Sequence, residues 1–193
     1  MGGNYAEHAG VFLIQTLFGL YILAIMLRFL LQWVRADFYN PVSQFLVKVT
    51  NPPLKPLRRL IPGFWGIDLA AVVLMLLLQM LELFLVGVVV GQSFRPLGVL
   101  VMSAGELLSL AIYVFMVAII IQIVLSWIQP GAYNPVIGLI NRLSEPLLAP
   151  ARRLIPPISG LDLSPLAVLI LLQLSLILLV SPIRDLGRML AFQ

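Results

Sequence analysis

Apolar residues run along this chain in four long stretches with shorter polar segments between them. The stretches cover residues 10–33, 68–90, 107–128 (with a start as early as Leu97) and 163–180. None alternates as a half-buried strand would. Each is close to the roughly 20 residues a helix needs to cross the hydrocarbon core. Lipid offers no partners to backbone N–H and C=O groups, so a crossing segment satisfies them internally as a helix. The pattern predicts four transmembrane helices.

Residues 34–67 and 129–162 join these spans in pairs, and 11 of the chain's 14 prolines lie in them. Asn40-Pro41 and Asn134-Pro135 are helix openings: Asn caps the free amides, and proline loses nothing at the first position. Val42, Phe45, Leu46 and Val49 then follow at helical spacing, as do Val136, Leu139, Ile140 and Leu143. Pro52 and Pro146 are expected to break each helix. The connectors therefore read as two short amphipathic helices apiece, lying in the membrane interface.

The halves of the chain repeat each other. At an offset of 94, residues 33–79 match residues 127–173 at 19 of 47 positions without a gap. The matches include Tyr39-Asn40-Pro41-Val42 with Tyr133-Asn134-Pro135-Val136, and Arg58-Arg59-Leu60-Ile61-Pro62 with Arg152-Arg153-Leu154-Ile155-Pro156. Gly66, Asp68 and Gln79 match Gly160, Asp162 and Gln173. Apolar composition alone does not reproduce Asn-Pro, Arg-Arg and Asp at one offset. Residues 1–96 and 97–193 are read as two copies of one unit. Each unit has two spans, so both enter from the same side and the repeat is parallel. The fold class is an all-α membrane protein: four transmembrane helices as two parallel two-helix repeats, each with a proline-broken amphipathic segment.

Composition agrees. Of 193 residues, 61% are apolar and 10% charged, against about 25% charged in soluble domains. A soluble enzyme and a disordered chain are excluded. Cysteine is absent and His8 is the one histidine. Disulfides, thiolate metal sites and two-histidine sites are therefore impossible. No cofactor, metal or catalytic residue is expected, and the net charge of +4 is read as topology rather than nucleic-acid binding. The N-terminal residues lack the basic start of a cleaved signal peptide. Eight of the 12 Lys and Arg residues lie in the connectors, and Arg95, Arg184 and Arg188 lie opposite. The bias places the connectors in the cytoplasm and both termini outside it.

The candidate functional residues are few. Lys55, Arg58, Arg59, Arg152 and Arg153 would sit at headgroup level. There they serve as topology anchors, as sites for anionic lipid, or as docking points for an acidic partner. Asp68 and Asp162 precede spans and either cap them or pair with the neighbouring arginines. Gln79 and Gln173 are expected near midplane, facing one another or a common core as structural glue or as a polar path. Glu82 shares the face of Gln79 and is the one acid well inside a span. Arg28 is expected to snorkel toward the connector side, and Glu106 to mark the outer start of the third span.

With the Asn-Pro-Val openings, the Arg-Arg-Leu-Ile-Pro runs, Gly66-Ile67-Asp68-Leu69 and Gly160-Leu161-Asp162-Leu163 in view, the chain resembles the YggT family of bacterial and plastid membrane proteins. Copy one departs with Ala70-Ala71 where copy two has Ser164-Pro165. The resemblance covers both units. It implies a bacterial inner-membrane protein whose relatives are linked to envelope or division processes, to cofactor attachment in cytochrome maturation, and to osmotic tolerance. The expected role is a non-enzymatic scaffold or assembly factor that meets the bilayer, anionic lipids, membrane-protein partners or a second copy of itself. The alternative is an ion or small-solute transport component with Gln79, Gln173 and Glu82 along the path.

Overall fold

The computed structural model describes residues 3–64, 66–128, 134–155 and 162–192. Tyr133, Pro156, Gly160 and Leu161, used above in reading the second connector, lie outside these. The elements are α1 (Gly3–Trp33), α2 (Pro41–Leu60), α3 (Leu69–Val90), α4 (Pro96–Ile128), α5 (Pro135–Leu154), α6 (Ser164–Ser175), a π-helical turn (Leu176–Val180) and α7 (Ser181–Ala191). There is no strand among the described residues. Tyr5–Trp33, Leu69–Val90, Pro96–Ser126 and Ser164–Ala191 are each long and apolar enough to cross a membrane. The chain is a multi-pass membrane protein.

The fourth span is longer than the expected 163–180. Pro182 has no N–H to give, and a break at Ser181 looks natural in the sequence. Instead the helix widens into a π turn, and the Ser181 hydroxyl also bonds Leu176 O at 3.0 Å. The wider turn absorbs the missing donor and the helix continues. The third span begins at Pro96, so Glu106 lies well inside α4 rather than at its start. Arg184 of α7 pairs with Glu106 at 2.6 Å.

Each connector holds one 20-residue helix, where the prolines predict two short ones. Pro52 and Pro53 leave the carbonyls of Lys48 and Val49 without their usual donors. Tyr21 Oη of α1 donates to Val49 O at 3.4 Å. Thr50 Oγ1 bonds Leu46 O at 2.6 Å, and Ser144 does the same to Ile140 O at 2.9 Å, a back-bond that bends helices. Packing holds the helix together: Ser43, Leu46, Thr50 and Leu54 of α2 are buried. Only Leu46 of the expected apolar stripe is among them. Val42, Phe45 and Val49 face outward on a second side, and Gln44, Lys48, Lys55 and Arg59 on a third.

The main core gathers Ile22, Ile25, Met26, Met75, Val114 and Leu143 from α1, α3, α4 and α5. Within unit one, α1 packs on α3 and α2; within unit two, α4 packs on α7 and α5. The two units are not arranged about a two-fold axis. α3 packs on α4 and α5 packs on α1, but α6 makes no comparable contact with α1, nor α2 with α4. Unit two sits behind unit one, presenting its leading face to unit one's trailing face. Equivalent residues therefore differ in burial. Leu107 and Leu139 are 9% and 6% exposed, while Leu13 and Phe45 are 57% and 63%.

Candidate functional site

The expected polar residues gather at the connector face. Asn40 Oδ1 accepts the Val42 N–H at 3.0 Å, and Asn134 Oδ1 that of Val136 at 2.9 Å. Asn40 is buried and donates through Nδ2 to Pro135 O at 2.7 Å, joining the starts of α2 and α5. Asn134 is exposed, and its described side-chain bond is the cap to Val136 alone.

The arginine pairs divide their work. Arg58 bonds Asp68 through Nε (3.2 Å) and Nη2. Arg152 Nε bonds Asp162 at 2.9 Å, and its Nη1 lies 3.5 Å from Glu145. One arginine of each pair thus clamps the connector helix to the start of the next span. Lys55, Arg59 and Arg153 are exposed and form no ion pair with described residues. Asp68 also caps α3, accepting the Ala71 N–H at 3.3 Å. Asp162 lies one residue before Leu163, the residue that caps α6, and accepts the Ser164 N–H at 2.9 Å. Burial alone would push the Asp162 carboxyl up, but the Ser164 hydrogen bonds and Arg152 outweigh it and hold it below its ordinary value.

The intramembrane polar residues do not converge. Gln79 is buried and donates to Glu82 Oε2 at 3.2 Å, one helical turn along α3. Gln173 is exposed on α6. The expectation that Gln79 and Gln173 face each other or a common core is corrected. α3 has a neighbouring helix on either side, α1 and α4, whereas α6 lies at the end of the row. Arg28 also departs from expectation. α2 covers it, leaving it 8% exposed, and its Nη1 donates to Thr50 Oγ1 (2.7 Å) and Asn51 Oδ1 (3.0 Å).

Arg28 and Gln32 fall at i and i+4 on one face of the end of α1, and Arg35 follows in the turn just beyond it. With Ser43, Arg58 and Asp68 they line a cavity of about 610 Å³ between α1, α2 and the turn at Gly66. Gly66 has φ of +81°, which favours glycine, and Phe64 and Ile67 exchange two backbone hydrogen bonds around it. Sequence reasoning did not single out Arg35 or Ser43. The available signal was the contrast between repeats: Arg28 and Arg35 stand where copy two has Gln122 and Gln129.

A model of the family described as CCB3/YggT matches residues 8–89 and again 101–183. An uncharacterized protein of Pseudomonas aeruginosa is 48% identical over 168 residues, covering 86% of this chain and 85% of its own. One of Vibrio alginolyticus is 45% identical over 84% of this chain and 88% of its own. The Escherichia coli K12 protein described as uncharacterized protein YggT is 37% identical over 83% of this chain and 84% of its own. No solved structure matches the chain.

Proposed function

We infer that this chain, which belongs to the CCB3/YggT family, is a non-enzymatic scaffold or assembly factor of the bacterial inner membrane. Its basic connectors face the cytoplasm and both termini lie outside it. The observation that carries the reading is the division of labour at the connector face. Arg58 and Arg152 are spent on clamping the fold, while Lys55, Arg59 and Arg153 are held outward on α2 and α5. Helices with an exposed apolar side and a basic side suit the interface of an anionic leaflet. They present a fixed pattern of cations to membrane proteins of envelope, division or membrane-complex biogenesis. A second copy of the chain is also a fitting partner, since Leu13 and Phe45 repeat positions that unit two buries.

A photo-crosslinking residue at Arg59 or Phe45, activated in cells, tests this. Discrete protein adducts, identified by mass spectrometry, are expected at both positions. Lipid adducts alone would overturn the scaffold. The second reading, a transport component with a role in osmotic tolerance, is favoured by the buried Gln79–Glu82 pair. An ion flux in liposomes that Glu82→Gln abolishes would establish it in place of the first.

A further inference from the structure

Two features of the cavity at the end of α1 are unmatched. Arg28 is nearly enclosed, and its Nη1 donates to neutral oxygens of Thr50 and Asn51. No carboxylate among the described residues pairs with it. Arg58 has its counter-charge in Asp68, but Arg35, also on the wall, has none among the described residues. The cavity lining thus carries two guanidinium charges in excess. The second feature is Ser43. It is 8% exposed, it lines the same cavity, and its hydroxyl bonds to no described residue. Burying a cation without an anion is costly, and so is burying a hydroxyl without a partner. Both costs vanish if an anion with several acceptor oxygens sits between them.

We propose that this cavity binds a phosphate ester, the headgroup phosphate of an anionic phospholipid. Guanidinium forks match phosphate oxygens with paired N–H donors, and Ser43 supplies a further donor. Apart from Gln32, the remaining side chains of the wall are apolar, with Leu31, Phe38, Leu46 and Ile67 among them, which suits the glycerol and upper acyl region. The volume falls within the usual 300–1,000 Å³ of ligand sites. Backbone geometry adds a detail. Arg35 ends α1 in the left-handed conformation, with φ of +52°, at a position usually held by glycine or asparagine. The fold accepts a disfavoured conformation there and obtains a cation on the cavity wall. Copy two has neither arginine, so it carries no second site of this kind. The inference rests on α2 lying in the interface, and not on the scaffold role, so absence of protein adducts in cells leaves it standing.

Its test uses the full chain in nanodiscs of phosphatidylglycerol with phosphatidylcholine, or of phosphatidylcholine alone, with bound lipid read by native mass spectrometry. Retention of phosphatidylglycerol above phosphatidylcholine is expected. It should fall about tenfold in Arg35→Gly and Arg35→Gln, as for loss of a charge-assisted hydrogen bond. Lys48→Gln, an equal change of charge on the exposed side of α2, should retain it. Arg35→Gly should melt no lower than wild type, because glycine relieves the left-handed backbone. That separates a binding role from a structural one. Equal retention of both lipids, or equal loss in Arg35→Gly and Lys48→Gln, would overturn the site. A second arm adds inorganic phosphate or glycerol 3-phosphate. If either displaces lipid or raises the melting temperature in an Arg35-dependent way, the phosphate site is upheld and its lipid source is overturned.

Discussion

Asp162 shows how much a single carboxylate at a helix start depends on its donors. The Ser164 N–H and hydroxyl and Arg152 stabilise its charged form, so its folded value lies below the ordinary 3.8. A group with a depressed value contributes stability that is full above its unfolded value and is lost as pH falls through the folded one. Asp162→Asn should therefore flatten the acid side of a melting-temperature profile taken from about pH 6 to pH 3. Near neutrality it should cost less than about 1 kcal/mol, since this is a half-exposed pair. A profile as steep as wild type would show that the clamp contributes nothing. Residues such as Asp162, Asp68 and Asn40 were legible in the sequence because capping is local chemistry, decided within three positions. Arg28 was not. Its burial depends on α2 folding back across α1, a contact between residues more than 20 apart, and neither helix advertises it alone.

Among the elements, the tightest approach is between α4 and α7. A Cβ added at Gly98 would fall 2.2 Å from Ala191 N, and one at Gly187 would fall 2.7 Å from Met102 N. Arg95 N–H reaches Ala191 O at 3.2 Å across the same crossing. Small residues let two membrane helices bring their backbones together where no hydrophobic drive separates lipid from protein contacts. Gly98→Ala is expected to cost about 1–3 kcal/mol, as overpacking does. Gly138→Ala in α5, with nothing within 4 Å of the added atom, should be neutral or stabilise by about 0.5–1 kcal/mol. Reversible unfolding in mixed micelles measures both, and equal effects would refute the close crossing. The spans were readable from apolar length, but their ends were not. Prolines mark where a helix loses a donor. They do not mark where it stops, once a π turn, a tyrosine hydroxyl or a back-bonding threonine takes up the slack.

Across the whole molecule, the duplication was plain at an offset of 94, and the geometry that relates the copies was not. Periodicity reports which face of a helix is apolar, but in lipid an apolar face serves equally against a neighbour or an acyl chain. Burial then separates positions the sequence treats as twins. Leu139→Ala should cost about 2–5 kcal/mol as a buried truncation. Phe45→Ala, at a position 63% exposed, should cost under about 1 kcal/mol in detergent. Thermal melts of the two variants check this, and similar losses would mean that the copies meet as equals.

Two bodies related by a two-fold axis consume the same face twice, and the set is then complete. One body placed behind another consumes two different faces, once each, and leaves one of each over. Joining two units in a single polypeptide therefore takes only the first step of a series that has no geometric end. A count of two is written instead in what borders the spare faces, with Leu13 and Phe45 at one end and Gln173 at the other. Drift at those few side chains could lengthen the series or cap it without altering a single helix.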